Sequence, residues 1–351
     1  MTKNILVAPL NWGLGHATRC IPIIVALENN GYTPVLASDG VALALLKKEF
    51  PHLLALELPS YNIEYPKKAS HFMWKMLKNT PRSLMAMHLE KKAIEKWIWE
   101  HQLIGIISDN RLGVHSKKIP SVFITHQLTV LSGKATWITS KLHQLYIKKF
   151  NQCWVPDNKD FPNLSGKLGH LQKTNLNLNY IGALSRLQKQ NIPIVYDIMI
   201  LLSGPEPQRT LLEEKLIEAF FGCKEKLVFI KGKIEAEQTV EQIGNITFYN
   251  FMQTKELEKT FNESEIVVCR SGYTTVMDLA KLEKKALFIP TPGQFEQEYL
   301  AKKFEKEGIL PRVKQDQFKK DAVFSVSLYQ GLPKIKSEVN WSELFDLFER
   351  K

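Results

Sequence analysis

The sequence predicts an α/β protein of two doubly wound domains, each a mostly parallel sheet flanked by helices, facing one another across a cleft. Three observations predict it. Short apolar, β-branched-rich runs alternate with longer stretches of helical period, the pattern of parallel strands joined by crossover helices. One opening, a buried strand followed by a Gly-containing loop and a helix, occurs twice about half a chain apart, as NWGLGH and then SGPEPQR. The length of 351 residues suits two cores of ordinary size.

The strands expected in the first half are Asn4–Leu10, Pro34–Ser38, Leu54–Leu58, Ile104–Asp109, Ser121–Thr125 and Cys153–Val155. Between the first two, ATRCIPIIVALENNG places Ile21, Ile24, Val25 and Leu27 on one helical face, and Gly31 suits the helix stop. Residues 182–196 are polar and follow neither period, as expected of a linker. The second series runs through Asp197–Leu202, Leu227–Lys231, Ile246–Tyr249, Glu265–Cys269 and Ala286–Pro290. The stretch Pro66–Leu103 interleaves Phe72, Met73, Trp74, Met76, Trp97 and Trp99 with Lys67, Lys68, Lys75, Lys78 and Lys96. Two readings stay open: a basic amphipathic surface for acidic lipid, or a helical excursion whose large side chains pack inward.

A composition of 44% hydrophobic and 24% charged residues excludes a wholly disordered or fibrous chain. Lys plus Arg number 47 against 36 for Asp plus Glu, a net charge of +11 that points to an anionic partner. No recognition helix or aromatic-lined basic groove is evident, so nucleic acid is not the expected partner. The four cysteines are far apart and form no CxxC pair, which suits free thiols in a reducing cytoplasm. No window reaches the length of a membrane-spanning helix.

Three loops carry the chemistry. In the first, Gly13 and Gly15 let backbone approach a ligand, and His16 stands at a helix N-terminus, where the dipole favours a neutral, basic imidazole. The fit to a dinucleotide fingerprint is poor: Thr18 occupies the third glycine position, although Asp39 falls where a ribose-binding acid would. The second loop offers Ser203, Gly204 and Arg209 to a diphosphate, without the GK[ST] ending of a P-loop. In the third, a strand ends at Arg270, Ser271 and Gly272 turn the chain, and a helix begins near Thr274 and Thr275 with Asp278 one turn in. Amides there can hold phosphate oxygens and the carboxylate can accept ribose hydroxyls. Downstream, Gln294, Glu296 and Gln297 follow a Pro/Gly loop, where they can read sugar hydroxyls.

The run IVVCRSGYTTVMDLAKLEKKALFIPTPGQFEQEYLA strongly resembles the nucleotide-sugar-binding domain of GT-B glycosyltransferases of the MurG type, glycosyltransferase family 28. The resemblance implies two Rossmann-like domains: an acceptor-binding one over residues 1–181 and a UDP-sugar-binding one over 197–335, with 336–351 as a C-terminal helix able to cross back to the first. It places Asp278 where the family uses Glu for the ribose and Gln294, Glu296 and Gln297 in the donor-sugar loop. Gly13, Gly15 and His16 match the loop facing the reaction centre, and His126 matches an acceptor-side loop. It implies inverting transfer of a hexosyl or N-acetylhexosaminyl group from a UDP-sugar to an acceptor hydroxyl, with a lipid-linked envelope precursor as a candidate acceptor. No cofactor is expected beyond the donor, and no metal, since the chain has no Asp-x-Asp pair. His16 is the first choice as general base, with Asp109 and His126 as second choices. The implied location is the cytoplasm, at the inner face of an acidic membrane. Gly15-His16 followed by Arg19 also resembles the GxGHxxR start of the UDP-sugar hydrolase of pseudaminic acid synthesis, in which water replaces the acceptor.

Overall fold

The computed structural model describes residues 3–61, 72–204, 206–233, 235–334 and 339–349, the side chains of 72–80 excepted. They form two compact units. The first gathers described residues within Met1–Ile63, Met73–Leu184 and Lys336–Lys351, the second those within Ser185–Ile335.

The first unit is built on strands β1 (Asn4–Pro9), β2 (Thr33–Ser38), β3 (Ala55–Glu57), β4 (Leu103–Asp109), β5 (Ser121–Ile124), β6 (Gln152–Val155) and β7 (Leu178–Tyr180). They pair in the order β3-β2-β1-β4-β5-β6-β7, all parallel. Helices α1 (Gly15–Asn29), α2 (Gly40–Glu49), α3 (Phe72–Glu100) and α4 (Thr136–Ile147) follow β1, β2, β3 and β5. The central strands are unbroken apolar runs because both faces are covered. Leu6, Ala8, Val35, Ile94, Ile98 and Ile106 share one core cluster, and Phe123, Ile147, Phe150 and Val155 another.

The second unit comprises β8 (Tyr196–Leu201), β9 (Leu227–Ile230), β10 (Val240–Ile243), β11 (Ile246–Tyr249), β12 (Ser264–Cys269) and β13 (Lys285–Phe288), in the order β10-β11-β9-β8-β12-β13. Only the pairing of β10 with β11 is antiparallel. Helices α5 (Gln208–Phe220), α6 (Thr254–Asn262) and α7 (Tyr273–Leu282) connect strands, and α8 (Phe295–Lys306) follows β13. Ile200, Leu216, Phe220, Phe229 and Val268 form its core.

Helix α9 (Trp341–Glu349) belongs to the first unit. Phe345 meets Tyr32 edge-on at 5.5 Å and lies 6.3 Å from Trp154, while Glu349 accepts from Tyr32 and from Lys3 at 2.7 Å.

Three expectations need correction. Val25 is 42% exposed, whereas Ile23 is buried, because α1 packs on α2 as well as on the sheet and its buried arc is displaced. Residues 185–190 are not a free linker. Arg186 donates to Thr254 at 2.9 Å, and the Gln188 and Gln190 amides donate to Glu258 and Asn262, which ties this segment to α6. On α3, Ile94, Ile98 and Trp97 pack inward while Leu84, Met85, Leu89 and Trp99 face outward, so the expectation that the large side chains pack inward holds for only part of the described helix. Its residues 66–71 lie outside the description, as do the side chains of 72–80.

One glycine is required by packing. A Cβ on Gly105 in β4 would fall 2.3 Å from the Phe348 ring and 2.7 Å from Ile5. Gly105→Ala should lower the stability of the first unit by about 1–3 kcal/mol. In a double-mutant cycle followed by denaturant unfolding, Phe348→Ala should recover part of that loss; strict additivity would show that the two positions do not press on each other.

Candidate active site

In a doubly wound sheet, loops on either side of the strand-order reversal leave in opposite directions and open a crevice at the carboxyl ends. The reversal falls between β1 and β4 in the first unit and between β8 and β12 in the second. The expected site residues cluster at these two points.

In the first unit, register brings Pro9 beside Asp109. The loop after β1 turns through Gly13, whose φ of 76° is in the left-handed region, and enters α1 at Gly15. His16 and Arg19, three residues apart on α1, share a helix face directed at Asp109. His16 Nδ1 lies 2.9 Å from Asp109 Oδ1 and its side chain keeps 14% exposure. Arg19, only 2% exposed, forks onto both carboxylate oxygens and approaches His126 Nδ1 at 3.1 Å. Asp109 is wholly buried. Burial by itself would raise its pKa, but the Arg19 charge and His16 overcome that and hold the carboxyl well below the usual carboxylate range. A carboxylate so firmly ionised is a poor proton acceptor, and the structure places Asp109 as the ion-pair partner of Arg19 with His16 at hydrogen-bond distance. Arg19 is the residue that sequence reasoning did not place here; its spacing from His16 was visible, its partner was not.

A second buried network supports this loop. Arg111, fully buried, donates to Pro9 O at 3.0 Å and to Glu90 Oε1 at 2.7 Å, and pairs with Asp39. Asn11 Nδ2 also donates to Asp39 at 3.0 Å, and Tyr61 Oη donates to Glu90 at 2.7 Å. Asp39 is therefore an ion-pair partner of Arg111, not a ribose ligand.

In the second unit, Ser203 and Gly204 follow β8, and Gly204 adopts φ 100° with open space where a Cβ would stand. Two arginines expected to hold phosphate are engaged elsewhere. Arg209 pairs with Glu206 and Glu213 and donates to Lys231 O at 3.1 Å. Arg270 is 1% exposed and donates to the carbonyls of Ile289, Pro290 and Gln208. Burial lowers its pKa to about 10. Both arginines hold the loops together. Ser271 Oγ donates to Gln297 O at 2.8 Å, and Gly272 caps α7, whose first turn carries Thr274 and Thr275 half-buried and no acid. That terminus is suited to an anion.

Gln294 caps α8 by accepting from the Gln297 amide at 2.7 Å, and Gln297 Oε1 accepts from Thr291 N at 2.8 Å. Glu296 is half-buried in the same turn.

Residues 206–335 match the family model described as the glycosyltransferase family 28 C-terminal domain. The second unit is a family 28 glycosyltransferase domain. A relative from Buchnera aphidicola subsp. Schizaphis graminum is UDP-N-acetylglucosamine--N-acetylmuramyl-(pentapeptide) pyrophosphoryl-undecaprenol N-acetylglucosamine transferase. It is 22% identical over 257 residues, covering 70% of this chain and 68% of its own. Among solved structures, the glycotransferase of kitacinnamycin superposes with a TM-score of 0.59 at 14% identity, over 93% of this chain and 90% of its own. Acinetobacter baumannii MurG superposes with a TM-score of 0.54 at 13% identity, over 99% of both chains. The chain thus has the GT-B fold, two Rossmann-like domains, and is a glycosyltransferase.

In this family 28 domain Asp278 is buried and accepts from Ser185 Oγ at 2.6 Å. Burial raises its pKa from 3.8 to about 6, against the opposing Ser185 bond and Arg186 charge. The folded chain therefore holds a proton there that the unfolded chain has lost, and the resulting stability is present below about pH 4 and fades as pH rises through about 6. Asp278→Asn should abolish that contribution. The stability difference between parent and variant should move by on the order of 2 kcal/mol across this window in urea titrations, and a constant difference would contradict the burial argument.

Proposed function

We propose that the chain is an inverting, metal-independent transferase that moves a hexosyl or N-acetylhexosaminyl group from a UDP-sugar to a hydroxyl of a lipid-linked acceptor at the cytoplasmic face of an acidic membrane. The observation that carries the reading is the placement of two chemically different residue sets at the two switch points: an oriented imidazole in one unit and anion-suited loops in the family 28 domain. His16 Nε2 takes the acceptor hydroxyl's proton as that oxygen bonds the anomeric carbon. The bond from that carbon to the diphosphate breaks on the opposite face, and its electron pair leaves with the phosphate. The α7 N-terminus and the Ser203–Gly204 loop stabilise the departing charge with fixed dipoles. Asp278 and the amide nitrogens of Gln294 and Gln297 are the groups proposed for ribose and sugar.

The lipid-linked acceptor is supported by the name of the Buchnera relative and by α4. Trp137, 72% exposed, shares an outward arc of that helix with Ile138, Leu142 and Leu145. Lys141 lies within the arc, one turn from Trp137 and from Leu145; Lys134, Lys148 and Lys149 lie just beyond the helix ends, and no Asp or Glu falls between Asn110 and Pro156. An exposed apolar helix face bordered by lysines suits the interface of an anionic bilayer. A second reading, in which water replaces the acceptor, draws support from Arg19, which sits on Asp109 at the spacing of the hydrolase start.

UDP should bind with submillimolar affinity in calorimetry, and His16→Ala should retain that affinity while losing about 10²–10⁴ in turnover. Absence of UDP binding would remove the donor assignment; release of free sugar without any acceptor would select hydrolysis.

The chain should sediment with phosphatidylglycerol vesicles and not with phosphatidylcholine vesicles. Replacing Lys134, Lys141, Lys148 and Lys149 by Gln should cost about 1 kcal/mol per lysine near the surface, and unchanged sedimentation would dismiss α4 as the contact.

A further inference from the structure

Strands β8 and β9 lie side by side and parallel, so the segments that follow them leave the same edge together: Ser203 and Gly204 after β8, Lys231-Gly232-Lys233 after β9. The two segments are in contact. Leu202 N donates to Ile230 O at 3.0 Å, and a Cβ on Gly232, whose φ is 67°, would stand 2.3 Å from Leu202 O and 3.8 Å from Ser203 Cα. A lysine thus stands on each side of the residue that touches the Ser203–Gly204 loop. Both ammonium groups share one carboxylate with a third cation. Arg209 Nη1, on a buried side chain, donates to Glu213 Oε2 at 2.8 Å. Lys233 Nζ stands 3.3 Å from the same oxygen and Lys231 Nζ 3.9 Å from Oε1. Arg209 also pairs with Glu206. Among the described ion pairs here, three cations share two carboxylates, and the guanidinium holds the short bonds. The two half-buried lysines are left at the outer limit of hydrogen-bond reach or beyond it, on flexible four-carbon stems.

We propose that Lys231 and Lys233 are phosphate ligands: they swing from Glu213 onto the oxygens of a nucleoside diphosphate seated at the Ser203–Gly204 loop, and supply the full positive charge that Arg209 and Arg270 have spent on the loop scaffold. The inference rests on the donor assignment made above. An ammonium is a compact point charge with three rotatable donors, suited to phosphate oxygens whose charge and position change as the sugar is transferred. Arg209 stays on Glu213 when the lysines leave, so their release strands no buried charge. Glu235, the acid nearest to Lys233 in sequence, accepts from Asn250 Nδ2 at 2.8 Å. Lys231 Nζ otherwise lies 5.1 Å from the centre of the Phe248 ring, a weaker attraction than a phosphate offers.

The test is calorimetry on the full chain with two probes, UDP and inorganic pyrophosphate. In the parent, pyrophosphate should compete with UDP, and both should bind more weakly as salt rises from about 50 to about 200 mM. Lys231→Met and Lys233→Met should each weaken both probes by about tenfold or more, the loss of one charge-assisted hydrogen bond, and the double variant should lose more than either. The control is Lys226→Met, a lysine of the same unit at the opposite end of β9, which should leave both affinities within about twofold. Unchanged affinities in the double variant, or an equal loss in Lys226→Met, would overturn the proposal. If the double variant fails to fold, the two single variants decide by the same comparison. A parent that binds pyrophosphate through these lysines but does not bind UDP would defeat the donor assignment alone; a parent that binds neither would defeat both.

Discussion

A parallel sheet whose strand order reverses cannot cover its own carboxyl edge at the reversal, and both units are organised around that gap. In the first, β1 and β4 end side by side, and the chain brings to that point a left-handed glycine, the start of α1 and a buried carboxylate. In the second, β8 and β12 end side by side, followed by the Ser203–Gly204 loop and the Ser271–Gly272 turn. Small residues at these openings leave the backbone accessible to close approach.

The two gaps are treated differently in charge. The first holds full charges, Arg19 with Asp109 and, beneath the same loop, Arg111 with Asp39 and Glu90, all buried. A buried ion pair adds little net stability over an apolar core, but it fixes geometry, and loss of one partner strands the other. Among the described residues, the second gap presents no guanidinium of its own. Arg209 and Arg270 are turned into the loop scaffold, so the field at the opening comes mainly from helix ends and amides. Fixed ion pairs suit orientation of a base; oriented dipoles suit a phosphate that must also leave.

Most of the fold was legible because each buried parallel strand reads as an apolar run. The strands that escaped were β7, three half-buried residues at one edge, and β10, fully exposed at the other; neither has a buried face to write a pattern. His16 could be read from its place at a helix start, and Asp109 from its strand end. Where a guanidinium spends its donors could not be read: Arg270 at the end of β12 has the spacing of a ligand, yet its partners are carbonyls distant in sequence. Glu90 on α3 gave no sign of a buried ion pair either, since its partner Arg111 lies beyond β4.

Helix α9 gives the chain an unusual assembly order. Its Phe345 and Phe348 seat on Tyr32 and Gly105, and Lys3 near the chain start pairs with Glu349, yet the whole family 28 domain is encoded between. During synthesis the first sheet emerges early and stays uncapped until the second unit has left the ribosome. The unit begun first is thus completed last. Its apolar seat for α9 stays uncovered on a nascent chain until α9 itself emerges.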